Sequence, residues 1–386
     1  MRIGRMTVGL ISCVLITAAA PFVGCSSDPD PVAVDAGSDV AADTTADVQP
    51  LDASTDPVQE EADPPEPPFD CTQDSAVEAP THLRCTGLYD KWTKKTITAG
   101  VREFKPGPTL WSDGAVKTRW VLLPPATQID TTNMEEWVFP VGTKFWKEFV
   151  LAGKRVETRM FWKIASTTWV RTTYQWSADE STAIRLDTGF SENDAGDSDA
   201  GGYEIPSLAK CDQCHNGATD KILGFEAVGL GVAGATGYTL AQLVSDGRLT
   251  VNPAKTALTI PEDGHGSANA LSWLHANCGT ACHNTNPAAS CYFKGMHLRL
   301  TYAELAATTP VTGLGAYTTT YNVGATIPSA AYKRIAPGGD VTNSAIHYLA
   351  SHRNNVLPNG QMPPIDSHII DPTGVGYLNT WISQLP

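Results

Sequence analysis

The chain has 386 residues, of which 42% are hydrophobic, and its formal net charge is -14. This length and apolar content allow at least one large core and favour two domains, which excludes a fibrous or globally disordered chain. The excess of acidic over basic residues gives no electrostatic footing for nucleic acid, which needs clustered Lys and Arg, so no nucleic-acid partner is expected.

Residues 1–25 have the layout of a secretory signal. Arg2 and Arg5 precede an apolar run over residues 6–20 that is too short for a retained membrane-spanning helix. Cys25 then follows a small residue, which resembles the bacterial lipoprotein signal, in which this cysteine is acylated and becomes the mature N-terminus. We therefore predict an exported lipoprotein, periplasmic or at the outer membrane, anchored to the membrane through Cys25. An ordinary signal peptide cut nearby is the alternative.

Residues 26–69 are predicted to form a disordered tether. They are rich in Ala, Asp, Pro, Ser and Thr, and they contain twelve acidic residues but no Lys or Arg. Such a segment buries too little apolar surface to offset its ordering entropy. Its acids account for most of the net charge, so residues 70–386 are nearly neutral.

Two cysteines mark the entry to the folded region. Cys71 and Cys85 flank a short stretch, and export would place them in an oxidising compartment. We predict a disulfide that pins the start of the folded chain, with two unpaired thiols as the alternative.

A β-rich domain is predicted over residues 70–255. Four segments within it alternate large apolar or aromatic residues with polar ones, and turn residues such as Gly142 and Gly153 separate them. These predicted strands cover residues 118–123, 143–150, 154–161 and 168–176. Tryptophan at this period more often fills a sheet core than a ligand site. The acidic stretch 191–199 is interpreted as a solvated connector, with a calcium loop as the alternative.

The motif Cys211-Asp212-Gln213-Cys214-His215 carries the strongest chemical signal. Two thiols three positions apart can add to the two vinyl groups of one porphyrin, and the next side chain reaches the iron. We predict covalent haem c at Cys211 and Cys214, with His215 as an iron ligand. The alternatives are a redox-active dithiol, which is typical of a helix start in a βαβ unit, and a zinc site, which needs a fourth ligand.

A second motif has one more residue between its thiols, Cys278 and Cys282, and is followed by His283. A predicted helix over residues 268–276 delivers these cysteines at its C-terminal end. We predict a second haem here, with His283 on its iron. A disulfide within this loop, or one with Cys291, is the alternative.

Met362 and the predicted terminal helix over residues 373–384 complete the pattern. The two prolines after Met362 hold its loop extended, which favours a role as sixth iron ligand over that of a core filler. Helix, haem motif, Met loop and terminal helix, in that order, resemble a cytochrome c domain over residues 262–386.

The sixth ligand of the first haem is not readable from the sequence. An empty sixth position, open to substrate, is one alternative. The candidate side chains are His275, His265, Met160, Met134 and Met296.

The whole folded region resembles the di-haem c-type cytochromes of exported bacterial proteins. Four stretches carry the resemblance: 110–115 (LWSDGA), 139–143 (FPVGT) and 156–159 (VETR) in the β-rich part, and 273–278 (WLHANC) before the second motif. The longer spacing between Cys278 and Cys282 departs from the family's usual pattern.

The predicted fold class is therefore α+β, an antiparallel β-rich domain followed by an all-α cytochrome c-like domain. The expected function is electron transfer outside the cytoplasm through two haem groups, or one at minimum, with their iron and with an unidentified redox partner protein. An electron carrier is favoured over an enzyme. The alternatives are an enzyme resembling di-haem peroxidases, with an open iron, and a ligand-binding β domain with a structural haem.

Overall fold

The computed structural model describes residues 66–72, 74, 77–191, 203–353, 360–365 and 367–386. All of these belong to one compact unit, Pro64–Pro386. The predicted signal and lipid site, the tether up to residue 65 and most of the acidic connector lie outside the described residues.

A seven-stranded antiparallel sheet dominates the N-terminal half. Its strands are β3 (Arg102–Lys105), β4 (Val116–Leu122), β5 (Lys144–Leu151), β6 (Lys154–Ala165), β7 (Thr168–Trp176), β8 (Ala183–Arg185) and β11 (Thr236–Gly237). They are arranged in the order β11-β3-β4-β5-β6-β7-β8. The four predicted strands are confirmed, with ends shifted by a few residues. Two further pairs are β1 (Tyr89–Lys91) with β2 (Thr96–Ile97), and β9 (Phe190–Ser191) with β10 (Glu204–Ile205).

The hairpin between β5 and β6 shows how local sequence sets the register. Ala152 and Gly153 form a two-residue loop, and both have positive φ, of 48° and 81°. Two such residues match the right-handed twist of the flanking strands, and glycine adopts this conformation without strain. Leu151 therefore pairs directly with Lys154.

The two faces of the sheet differ in what they bury. One face packs an aromatic core that holds most of the predicted sheet tryptophans; its members include Trp120, Trp146, Met160, Tyr174 and Trp176. The opposite face packs Val121, Phe145 and Phe161 against Phe225 and its neighbours. Residues two positions apart on a strand point to the same face. This second face therefore also presents the charged residues that stand two positions away from those apolar ones.

The C-terminal half is helical. Its helices are α1 (Leu208–His215), α2 (Ala227–Gly231), α3 (Leu240–Ser245), α4 (Ser267–Leu274), α5 (Tyr302–Ala306), α6 (Gly315–Thr318), α7 (Ala345–Ala350) and α8 (Pro372–Ile382). A π-helical turn, His275–Gly279, continues α4, and short 3-10 turns occupy Leu83–Thr86, Tyr292–Lys294 and Val311–Gly313.

Helices α4 and α8 form the centre of the helical core. Leu271 and Leu274 of α4 are fully buried with Leu378 and Trp381 of α8. Asp371 caps the start of α8 by accepting hydrogen bonds from two backbone N–H groups, which satisfies donors that a helix start leaves unpaired. The mixture of a large antiparallel sheet and a smaller helical part confirms the α+β class.

The predicted disulfide between Cys71 and Cys85 is present, with the two Cα atoms 5.6 Å apart. A loop of this size contributes about 3 kcal/mol by restricting the unfolded chain. Contacts with the folded part begin slightly upstream, because Glu66 pairs with Arg84 and accepts a hydrogen bond from the Thr93 backbone. Among the described residues, no helix is both long and apolar enough to cross a bilayer.

Candidate functional site

Both cysteine motifs lie at the C-terminal ends of helical segments. The first motif, residues 211–215, forms the last five residues of the eight-residue helix α1, which follows β10 in the chain. The second motif begins in the π-helical turn after α4, at Cys278. A redox-active dithiol would sit at a helix start within a βαβ unit, and the first motif has neither feature.

The segments that carry the two motifs pack directly against each other. A Cβ atom on Gly217 would lie only 1.8 Å from the backbone oxygen of Ala281, so the chain approaches here as closely as glycine permits. Asn284 donates a side-chain hydrogen bond to the Gly217 carbonyl at 3.3 Å. The thiols of Cys214 and Cys282 are within hydrogen-bonding reach of each other. The two motifs therefore form one site.

A cavity of about 590 Å³ opens beside this contact. Its volume is in the range of small-molecule and cofactor sites, about 300–1,000 Å³. The sheet contributes Phe104, Phe145 and Phe161 to its wall, and the helical part contributes Leu298 and Leu349. The predicted ligands that line it are Cys211, Cys214, His215, Cys278, Cys282, His283 and Met362.

The ring of His215 is held in one orientation. Its Nδ1 lies 2.6 Å from the Lys221 carbonyl oxygen, so Nδ1 carries the proton and donates it, and Nε2 is left with its lone pair. The Phe161 ring packs against the imidazole at 4.5 Å between centroids. Burial lowers the pKa of His215 to about 4, which keeps the ring neutral at physiological pH. A neutral imidazole oriented through its other nitrogen is the form that binds a metal.

His283 is also buried and neutral, but it lacks the orienting bond. Burial, followed by the positive charges of Arg334 and Lys294, lowers its pKa to about 4. Its Nδ1 is buried without a hydrogen-bond partner in the described part of the chain. An orphaned buried ring nitrogen is rare in a folded protein. The second motif therefore differs from the first in that no hydrogen bond among the described residues orients its histidine ring.

The cysteines of the site form no disulfide in the described part of the chain. Burial raises the pKa of Cys278 to about 12, and the adjacent Cys214 thiol together with burial raises the pKa of Cys282. Zinc needs thiolates and ligand atoms that converge on one point. Within the described ranges, the one group of potential metal ligands that converges is Cys71, Asp74 and Cys85, two of which are disulfide-bonded. The motif residues instead surround a space much larger than a single ion.

Three of the candidate sixth ligands lie at the cavity: Met362, Met296 and His275. Met362 is held by a hydrogen bond from its backbone N–H to the Leu349 carbonyl at 2.9 Å. Both nitrogens of His275 are engaged, because Nδ1 accepts from a backbone N–H at 3.0 Å and Nε2 lies 3.4 Å from Glu226. His275 is therefore a structural histidine here.

The other three candidates are elsewhere. Met160 is fully buried in the aromatic core on the far side of the sheet. Met134 packs against the core around Phe225 on the opposite face, and His265 is exposed. None of them lines the cavity.

Two of the stretches that carry the family resemblance, 110–115 and 273–278, contact each other in the structure. Asn277, in the stretch before the second motif, donates to the Thr109 carbonyl at 3.1 Å and accepts from the Trp111 backbone at 2.7 Å. Asp113 accepts hydrogen bonds from the backbone of His368 and Ile369. These residues therefore connect the β-rich part to the helical part beside the cavity.

Sequence reasoning missed three basic residues that line the same cavity, Arg119, Lys147 and Arg159. A signal for them exists, because Lys147 stands between Phe145 and Phe149 at period two, in a position that the alternation directs to a buried face. Strand periodicity alone assigns such a position to the core. A cation there indicates a site instead.

Comparison with protein-family models, with curated proteins and with solved structures found no match for this chain.

Proposed function

We propose that this protein is an exported c-type cytochrome that transfers single electrons through covalently attached haem. One observation carries the proposal: both cysteine motifs, with their histidines, line a single cavity of about 590 Å³. Cys211 and Cys214 would hold the first haem, with His215 on its iron. Cys278 and Cys282 would hold the second, with His283 and Met362 on its iron.

The residues fit such a group. Much of the wall is aromatic and aliphatic, as a porphyrin requires, and His215 presents an unprotonated Nε2 because its Nδ1–H donates a hydrogen bond to the Lys221 carbonyl. When bound, haem supplies a one-electron couple, and a methionine as sixth ligand raises its potential. The chain's own contribution is to orient the imidazole, exclude water and keep the two attachment sites in contact.

Contact between the motifs favours a carrier over a structural role. Cys214 and Cys282 are within reach of each other, so groups attached at the two motifs would share one cavity.

The helical part with the second motif would be the cytochrome c-like domain predicted for residues 262–386. The disulfide at Cys71 supports export, because such bonds persist in oxidising compartments. Lipid on Cys25 would then hold the protein at a membrane surface.

The test is the haem content of the protein produced in a host competent in cytochrome maturation. We expect two haems per chain from intact mass and a pyridine haemochrome assay. Cys214→Ala should remove one haem, whereas the matched control Cys291→Ala, at another cavity thiol outside both motifs, should keep both. Colourless protein would contradict the proposal, and loss of haem from Cys291→Ala would move the second attachment to Cys291.

Carbon monoxide separates the carrier from a peroxidase-like enzyme. A carrier with both axial positions filled should not bind carbon monoxide promptly when reduced. Prompt binding by the native protein would indicate an open iron and favour the enzyme.

A further inference from the structure

Three basic side chains form a row across the centre of the sheet. Arg119 on β4 pairs with Lys147 on β5, and Lys147 pairs with Arg159 on β6. Direct partners in an antiparallel sheet share one face, and all three residues line the cavity. Like charges placed directly opposite each other destabilise a sheet. This basic row therefore needs a compensating negative charge.

The protein supplies that charge for only one member of the row. Arg159 makes two hydrogen bonds to Glu157, at 2.6 and 2.9 Å. Arg119 is only 7% exposed and, within the part of the chain that the structure describes, has no hydrogen-bond or ion-pair partner. Lys147 contacts the Phe149 ring, with its Nζ 4.9 Å from the ring centroid, and has no acceptor among the described residues.

The acids that line the same cavity are already engaged. Asp113 accepts backbone hydrogen bonds from residues 368 and 369, Glu204 pairs with Lys210, and Glu226 caps the start of α2. Burying a cation without a partner is costly. The uncompensated cations Arg119 and Lys147 face the cavity, so the missing anion is expected to come from a bound molecule.

The surroundings of the row indicate the shape of that molecule. Phe145 and Phe161 lie on one side of the row and Phe149 with Tyr203 on the other, and Phe161 also contacts His215. A ligand that fits here is largely apolar and carries anionic groups. We propose that Arg119, Lys147 and Arg159 form a carboxylate site that binds the propionate groups of the haem attached at Cys211 and Cys214. The identity of the carboxylate rests on the proposed function, whereas the anion site follows from the basic row itself.

The test compares Lys147→Gln and Arg119→Gln with Lys154→Gln, which removes the same charge from the exposed end of the same hairpin. In the haem-containing protein, both cavity variants should lower the midpoint potential, because a lost cation no longer disfavours the oxidised, more positive haem. The pH at which the potential changes with propionate ionisation should rise, because the cation no longer stabilises the ionised carboxylate. Lys147→Arg should restore both properties, which separates the lost charge from a folding defect.

Three outcomes would count against the proposal. Potentials and pH dependence equal to those of Lys154→Gln in folded variants would overturn it. A shift of the wild-type potential on adding succinate would assign the site to a free carboxylate and overturn the propionate assignment.

If the purified protein holds no haem, the proposed function fails, and the anion site is then tested by titrating that protein with succinate. Binding lost in Lys147→Gln and Arg119→Gln but kept in Lys154→Gln would support the site, and absence of binding throughout would overturn it.

Discussion

At the scale of single residues, buried charges in this protein are held by several partners at once. Asp220 accepts hydrogen bonds from the Phe139 backbone and the Lys163 ammonium, each at 2.6 Å, and from the Trp169 indole at 2.8 Å. Lys163 is 1% exposed, so water cannot replace Asp220 as its partner. This cluster links the segment after the first motif to the sheet.

Removing one member of this cluster should be costly. Asp220→Ala leaves the Lys163 charge buried and unpaired, which is expected to lower the free energy of unfolding by about 3–5 kcal/mol. The matched control is Asp246→Ala, which breaks the exposed ion pair with Arg102 at 3.5 Å and should cost about 1 kcal/mol or less. Urea unfolding of both variants checks the difference. Equal losses would contradict the role assigned to Asp220.

The two motif histidines should make the chain, when it is produced without a bound cofactor, sensitive to acid. Burial lowers the pKa of His215 and of His283 to about 4, whereas an unfolded histidine takes up a proton near pH 6.5. Between these values the unfolded state binds more protons than the folded state, so stability should fall as the pH falls from about 6.5 to about 4.

Unfolding of protein prepared without haem maturation, measured in steps across this window, checks the expectation. His283→Gln should reduce the slope, and the exposed control His265→Gln should leave it unchanged. A stability that does not change across the window would contradict burial of neutral imidazoles.

At the scale of elements, helix α8 ties the site to the helical core. Trp273, which lines the cavity, donates from its indole Nε1 to the N-cap residue Asp371 at 2.8 Å. A Cβ atom on Gly374 would lie 2.0 Å from that same Nε1. The first turn of α8 therefore fits Trp273 only because residue 374 has no side chain.

Two glycines of α8 provide a matched pair. Gly374→Ala would push Trp273 away from Asp371 and should lower stability by about 1–3 kcal/mol through overpacking, with the lost hydrogen bond in addition. Gly376 is exposed with nothing within 4 Å of an added Cβ, so Gly376→Ala should raise stability by about 0.5–1 kcal/mol. Thermal unfolding of the two variants checks the opposite signs. A loss of stability in both would show that helix propensity does not govern this surface.

At the scale of the whole molecule, the β-rich and helical parts enclose the cavity together. Across this boundary, the Asn277 side chain donates from Nδ2 to the Thr109 carbonyl and accepts at Oδ1 from the Trp111 backbone N–H. Its Nδ2 also donates to the Trp273 carbonyl. The described residues form one compact unit, so we expect the two parts to unfold together. The domain boundary between residues 255 and 262 stays a prediction.

Cooperative unfolding is testable through Asn277. Asn277→Ala leaves the Trp111 N–H without its acceptor and should lower stability by about 1–3 kcal/mol, whereas Asn379→Ala on the exposed side of α8 should have little effect. In the wild type, tryptophan fluorescence, to which residues 70–255 contribute eight of the ten tryptophans, and helical circular dichroism should report one coincident urea transition. Two well-separated transitions would show that the parts fold as independent domains.

Much of the architecture could be predicted because it follows from local pattern. Period-two alternation identified the strands from β4 to β7, and the apolar spacing identified α8. The pairing of Cys71 with Cys85 followed from proximity in the chain and the expected compartment. The acidic tether and the lipid site rest on composition and a signal pattern alone.

The arrangement of the site depends on residues that are far apart in the chain. The thiols and imidazoles that we propose as the haem site could be identified from the sequence, since the spacing within each motif is a local property. The sequence did not show that Cys214 lies beside Cys282, that His275 is fully engaged, or that Arg119, Lys147 and Arg159 form one row. Those facts arise from strand register and from the packing of α1 against the turn after α4, which are set by the folding of the whole chain and not by any single segment.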